Sequence, residues 1–249
     1  MAFSHSFSFA QRRVISMAGK LMFETGMLSP GARLGVAVSG GMDSLVLLAV
    51  LAHKRRIVPF PIEIMLLHAN PGFDPHNHVP LVGLAEEMGI AAHIAVTDFG
   101  PRAHSPENRK RSACFWCAWN RRKLLFDLCS RYRLSHLAMG HNADDLVSTF
   151  ALNLVQGGRV DGLSSRESFF NGKLLLVRPL LFVEKKFIRK AAKDWSLPVF
   201  DNPCPAASSS RRKELAERMR LLSGGDKRLD ANIVSALRRF QLDRDLGKP

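Results

Sequence analysis

Acidic residues are scarce in this chain. Its 249 residues carry 22 Asp and Glu against 36 Lys and Arg, a formal net charge of +14 at pH 7, and the isoelectric point is near 10.3. No apolar run approaches the roughly 20 residues that cross a bilayer; the longest is Leu45 to Ala52. Met1 to Lys20 is broken up by Ser, His and Arg and lacks the continuous apolar segment of a secretory signal. A membrane span and a secreted protein are both disfavoured, and a cytoplasmic location is expected. Cysteine is confined to Cys114, Cys117, Cys129 and Cys204. In a reducing compartment these make no disulfide framework, so the question they raise is metal or redox chemistry. There is no internal repeat and no long low-complexity tract.

What is present suffices for a full core. With 46 % hydrophobic and 23 % charged residues, the chain reads as one α/β domain with terminal extensions. Basic runs recur at Arg109-Lys110-Arg111, Arg121-Arg122-Lys123, Lys185-Lys186, Arg189-Lys190, Arg211-Arg212-Lys213 and Arg238-Arg239. One such run is ordinarily a solvated helix face. So many favour a polyanionic partner, with structured RNA first. A membrane surface ranks lower, because no basic amphipathic helix stands apart from the fold.

Short apolar segments alternate with helical spacing. Helix is expected up to about Met27, strand over Leu34–Val38, helix from Asp43 to Lys54 and strand over Ile62–His68. Helix Val79–Met88, strand Ala92–Val96, a mobile polar loop from Thr97 to Ser112 and helix from Cys114 to Arg131 follow. Then come strand Leu134–Met139, helix Ala143–Val155, an extended run Leu174–Val177 and helix Glu184–Trp195. A basic helical segment from Ser210 to Gln241, broken at Gly224-Gly225, ends the pattern. This alternation predicts a parallel sheet with helices on both faces, in which ligands sit beyond the carboxyl ends of the strands.

Three stretches carry chemistry. In the first, Val36-Ala37-Val38-Ser39-Gly40-Gly41-Met42-Asp43-Ser44, a buried strand ends in a glycine turn and a helix begins. Two glycines let backbone N–H groups face inward, and the helix start adds partial positive charge, so the stretch suits a phosphate. It has neither the Gly-Lys-Ser/Thr ending of a Walker A loop nor the Gly-x-Gly-x-x-Gly of a dinucleotide fold. The second is Cys114-Phe115-Trp116-Cys117, a C-x-x-C at a helix start whose dipole would draw the thiols toward thiolate. Cys204 lies in an extended Pro203-Cys204-Pro205 segment. There is no second C-x-x-C, so a redox dithiol, a zinc site completed by other ligands, and three thiolates on an iron–sulfur cluster all stay open. Cys129, in mid-helix, reads as a core residue. The third stretch, Gly140-His141-Asn142-Ala143-Asp144-Asp145, sets two carboxylates at a helix start. That is either helix capping or a contribution to a Mg²⁺–ATP site, which needs only one or two carboxylates plus phosphate oxygens.

Taken in order, Ser39-Gly40-Gly41-Met42-Asp43-Ser44, Pro71-Gly72-Phe73, Cys114-x-x-Cys117, Gly140-His141-x-x-Asp144-Asp145, Gly157-Gly158, Arg178-Pro179-Leu180 and Cys204 resemble the tRNA 2-thiocytidine synthetase family. That family belongs to the N-type ATP pyrophosphatases, which carry the PP-loop, and is related to tRNA lysidine synthetases. The resemblance spans roughly Ser29 to Arg212. It implies a Rossmann-like, adenine nucleotide alpha hydrolase-like sheet over residues 31–205, with an N-terminal helical extension at 1–30 and a basic C-terminal one at 206–249. It also implies that ATP adenylates the C2 oxygen of a cytidine in tRNA, and that sulfur carried on a 4Fe–4S cluster then displaces AMP. By that resemblance Ser39, Gly40, Gly41, Asp43 and Ser44 hold ATP phosphates, and His68 and Asn70 contact the adenosine. Gly140, His141, Asp144 and Asp145 assist ATP and Mg²⁺, while Cys114, Cys117 and Cys204 ligate the cluster. The partners implied are tRNA, a sulfur donor such as a cysteine desulfurase, and a second copy in a homodimer. The chain departs from the family at Met42, where lysine is frequent, and around Cys204, where close relatives carry another cysteine. A lysidine synthetase-like ligase, which needs no cysteines, and a non-catalytic RNA-binding protein with a degenerate loop are the competing expectations.

Overall fold

The computed structural model describes residues 6–108, 112–201, 203–206, 217–218, 221, 224 and 226–247. The basic runs at 109–111 and 211–213, and most of the helical segment expected between 210 and 225, lie outside the described residues. Six strands form one sheet in the order β3-β2-β1-β4-β6-β5. They are β1 (Arg33–Ala37), β2 (Glu63–Asn70), β3 (Ala91–Val96), β4 (His136–Met139), β5 (Arg166–Phe169) and β6 (Leu174–Val177). The first four and β6 run parallel, with Val36 registered on Leu66 of β2 and on Ala138 of β4. β5 is antiparallel to β6. No strand was expected there, because its residues are short, polar and on an edge. The connection turns through Phe170, Asn171 and Gly172, all with positive φ, and the Asn-Gly pair is the hairpin signal the sequence held.

Eight helices can be followed among the described residues: α1 (Phe9–Glu24), α2 (Met42–Arg55), α3 (Val79–Met88), α4 (Phe99–Ala103), α5 (Ala113–Arg131), α6 (Ala143–Gly157), α7 (Lys185–Asp194) and α8 (Lys227–Asp245). Every residue of α2 from Leu45 to Ala52 is buried. A helix apolar all round must be covered on all sides; α2 lies on β1, β2 and β4 and is covered by α1 and α7. α1 starts with a capping box between Ser8 and Gln11 and joins the same core through Ala10, Val14, Ala18 and Leu21. α8 docks on α6, and its Asp245 accepts the Ser165 N–H at 2.7 Å. The segment expected as a loop from Thr97 contains α4, because Phe99 and Arg102 both pack on the ring of Trp116. No described helix is long and apolar enough to cross a membrane.

The connectivity fixes the site. From β1 the chain adds β2 and β3 on one side, then returns to add β4 on the other. Helices leaving β1 and β4 therefore diverge and open a crevice beyond their carboxyl ends, the place where such sheets bind ligands.

Candidate active site

The Ser-Gly-Gly stretch occupies that crevice, between β1 and α2. Gly40 has φ of 86°, a conformation costly for any residue with a Cβ. A Cβ there would also fall 2.1 Å from the Phe200 ring. The Phe200 N–H donates to the Gly40 carbonyl at 3.1 Å. Ser44 Oγ donates to the Gly41 carbonyl at 2.8 Å and accepts from the Ser39 N–H at 3.0 Å, while Ser39 Oγ accepts from the Gly41 N–H at 3.3 Å. The two serines thus hold the loop's shape. α1, α5, α6 and α8 have side-chain N-caps; α2, which begins at Gly41, has none, as is also the case for α3, α4 and α7. No side chain therefore competes for its first-turn N–H groups, and a glycine turn leading into such a helix start fits a phosphate.

β4 delivers the second wall. Gly140 lies so close to α2 that a Cβ would stand 3.0 Å from the backbone of Asp43 and Ser44. Asn142 caps α6, accepting from the N–H groups of Asp144 and Asp145 at 2.8 and 3.4 Å, and its amide donates to Asp43 Oδ1 at 3.1 Å. Asp145 accepts the Asn142 N–H at 3.0 Å and closes a capping box, so its carboxylate does serve helix capping. Asp144 is exposed. His141 Nδ1 accepts from Arg178 Nε at 3.2 Å, and buried Arg178 is tied to Glu167 at 2.6 Å. Of the three carboxylates, Asp144 is the exposed one, and Asp43 is held by Asn142 rather than spent on a helix cap. The other oxygen of Asp43 forms an ion pair with Lys185, from the first turn of α7.

β2 supplies buried polar groups beside the loop. His68 Nδ1 donates to the Val38 carbonyl at 2.7 Å, and its Nε2 is buried without a hydrogen-bond partner. Burial, reinforced by the charges of Arg121 and His78, lowers its pKa to about 4 against the raising effect of the Val38 bond. The ring is therefore neutral at pH 7, and Nε2 offers an acceptor for a ligand N–H. Asn70 is buried as well, but its amide is spent on the following loop. It donates to Asp74 O at 2.9 Å and Asn77 Oδ1 at 3.0 Å, and accepts the Gly72 N–H at 2.8 Å. β2 runs on through Asn70, two residues beyond the end expected at His68.

The cysteines divide as expected in one respect and not in another. Cys129 is buried with Leu125, Leu128 and Leu134, and burial pushes its thiol up to about 12. Cys117 was expected to be drawn toward thiolate by the start of α5. Instead its pKa is raised, chiefly by burial and further by Cys204 and Cys114, against the lowering effect of Arg121. Three thiols within electrostatic reach of one another make a donor set suited to a thiophilic centre, whose positive charge would reverse that rise. Among the described residues no group of three His, Cys, Asp or Glu side chains is closed to metal-binding distance. The charge of Arg121 is felt at both His68 and Cys117, and α5, which carries the C-x-x-C, packs on β2, which carries His68.

The site also contains residues the motifs did not mark. Asn142 stood as an unassigned position between His141 and Asp144. In the sequence Lys185 reads as part of a basic run, although two lysines in a first helical turn, where acids are favoured, are a usable signal. Phe200 had none.

A glycine turn feeding an uncapped helix, at the switch point of a mostly parallel sheet, defines a Rossmann-like nucleotide-binding protein. Within that class the chain belongs to the PP-loop family, whose domain model matches residues 11–220. It is 27 % identical over 243 residues to a tRNA-cytidine(32) 2-sulfurtransferase of Geobacter sulfurreducens, covering 95 % of each chain. It is 29 % identical over 238 residues to the protein of that name from Geotalea uraniireducens, covering 93 % and 94 %. Its fold matches the U34-tRNA thiolase NcsA of Methanococcus maripaludis, solved with a 4Fe–4S cluster. There the TM-score is 0.74 at 21 % identity, over 93 % of this chain and 80 % of that one.

Proposed function

We propose that the protein is an ATP-dependent tRNA thiolase acting on the C2 position of a cytidine. The observation that carries the reading is that one crevice adjoins both an uncapped PP-loop helix and the thiols around Cys117. The relatives named for cytidine 2-sulfurtransfer, and the thiolase of the same fold, support it.

In this reading the cytidine C2 oxygen attacks the α-phosphorus of ATP and pyrophosphate leaves. A sulfur nucleophile then attacks C2, and the oxygen departs with AMP. The Gly40-Gly41 turn and the first turn of α2 hold the leaving pyrophosphate in line, and Ser39 and Ser44 fix that turn. His68 Nε2 accepts a hydrogen bond from the adenine amino group. Asp43 and Asp144 would hold Mg²⁺, which neutralises phosphate charge. Cys114, Cys117 and Cys204 would hold a 4Fe–4S cluster, which supplies sulfur in a form shielded from water. A donor such as a cysteine desulfurase, together with a two-electron reductant that brings its persulfide sulfur to the sulfide level, replenishes that sulfur. The positive charge of Arg121 acts on both His68 and Cys117 and favours thiolate at Cys117.

The tRNA reading draws on α5. Phe115 and Trp119 are 50 % and 53 % exposed, with rings nearly parallel at 14° and centroids 6.3 Å apart. Together with Arg122 and Lys123 one turn on, they form a surface on which unpaired bases stack beside Cys114. The test is to reconstitute the protein anaerobically with iron and sulfide and follow ATP turnover with and without tRNA. Release of AMP and pyrophosphate that depends on tRNA is expected. ATP consumption that yields ADP, or none with tRNA present, excludes the proposal.

A further inference from the structure

The loop that would bind pyrophosphate contains no base. Ser39-Gly40-Gly41-Met42-Asp43-Ser44 holds one acid and no lysine or arginine, so its only charged side chain repels a polyphosphate. Backbone N–H groups and a helix dipole offset part of that charge, and charge-assisted bonds from a cation are the stronger remedy. One cation reaches the loop from far along the chain. Lys185 bonds Asp43 across 142 residues of sequence, and both side chains keep partial access to solvent, at 30 % and 27 %. A ligand can therefore reach them.

Nothing in the local sequence favours a lysine at this place. It opens α7, whose first turn contains no acid and whose dipole opposes positive charge. Its neighbour Lys186 is paired with Glu184, whereas Lys185 reaches into the crevice. A local rule broken at the mouth of a site points to function. Arg178, which meets His141 at the end of β4, is committed to Glu167 at 2.6 Å and to the Ser164 carbonyl.

We propose that Lys185 is the pyrophosphate-binding cation of this site. It rests on Asp43 in the free protein and moves to the β- and γ-phosphates when ATP enters. Asp43, released, then turns to the Mg²⁺ that accompanies the nucleotide. The exchange leaves every charge paired before and after, and α7, rather than the loop, supplies the positive group. The proposal rests on the ATP-binding reading above.

Calorimetry on the full chain tests it with three probes: MgATP, magnesium-free pyrophosphate and AMP. Lys185→Ala is expected to weaken pyrophosphate and MgATP by about tenfold or more, in line with the loss of one charge-assisted contact. AMP affinity should stay within about twofold. Lys185→Arg retains most of the affinity, and Met42→Lys restores part of it to Lys185→Ala by placing the charge in the loop. A circular dichroism melt checks that each variant is folded; should Lys185→Ala fail, Lys185→Gln, which keeps the stem, serves in its place. The Asp43→Asn background separates a phosphate contact from simple neutralisation of Asp43. There, Lys185→Ala still costs about fivefold or more in pyrophosphate affinity if the lysine touches the anion. No effect in that background overturns the proposal while leaving ATP binding intact. Wild-type protein that binds neither ATP nor pyrophosphate overturns the ATP reading and this proposal together.

Discussion

Gly140, at the end of β4, lies against the first turn of α2 with room for no side chain, since a Cβ would stand 3.0 Å from Ser44 Cα. The atoms in the way are backbone and cannot swing aside. Gly140→Ala is therefore expected to push β4 from α2 and misplace the loop's N–H groups. Overpacking of this kind costs about 1–3 kcal/mol, and ATP affinity should fall by about tenfold or more, because the donors are misaimed. Urea titration and calorimetry on the same preparation check both numbers.

Asn142 has two duties that substitutions separate. Asn142→Ala loses both the cap of α6 and the bond to Asp43, for about 1–2 kcal/mol of stability. Asn142→Asp keeps an oxygen for the cap but sets a second negative charge beside Asp43. Its urea midpoint should rise from pH 5 to pH 4 relative to wild type as the added carboxylate is protonated, a dependence Asn142→Ala lacks, and at pH 7 its affinity for magnesium-free pyrophosphate falls below that of Asn142→Ala. Thermal melts and calorimetry of the two variants distinguish the duties.

His68 makes stability depend on pH. Its folded pKa is depressed from 6.5 to about 4, with burial the main cause. Between those values the unfolded chain binds a proton that the folded chain refuses, so stability falls as pH drops from 6.5 and levels off below about 4. The loss attributable to this group is about 3 kcal/mol. His136, depressed by burial as well, adds a loss of the same sign. Urea midpoints from pH 7 to pH 4 should show the decline, and His68→Asn should flatten it.

Trp119 is expected to serve tRNA rather than ATP. Trp119→Ala should weaken tRNA binding by about tenfold, the worth of one stacked base, and leave the ATP dissociation constant unchanged. Fluorescence anisotropy with labelled tRNA, beside ATP calorimetry, reads both.

Much of this arrangement could be read from the sequence. The strand–glycine–helix order around Ser39, and the alternation that gives the sheet, are local signals of propensity and spacing. β5 escaped because a short polar edge strand lacks the buried apolar run that marks its neighbours. α4 escaped because its reason for existing is Trp116, on another helix. At the site, the motif residues were visible and their roles were less so. Asp145 spends its carboxylate on a cap, Asn70 spends its amide on a turn, and burial outweighs the helix dipole at Cys117. Lys185 and Phe200 meet the loop only through tertiary packing, which spacing does not encode.

If the crevice and the thiols act together on one tRNA base, losing one thiol should abolish sulfur transfer without touching ATP binding. The most direct test is nucleoside mass spectrometry of tRNA incubated with ATP, a sulfide source and anaerobically reconstituted protein, comparing wild type with Cys204→Ala. The wild type is expected to yield 2-thiocytidine and the variant none, with ATP binding retained in both. Equal 2-thiocytidine from the two proteins, or a modified base without sulfur, would contradict it.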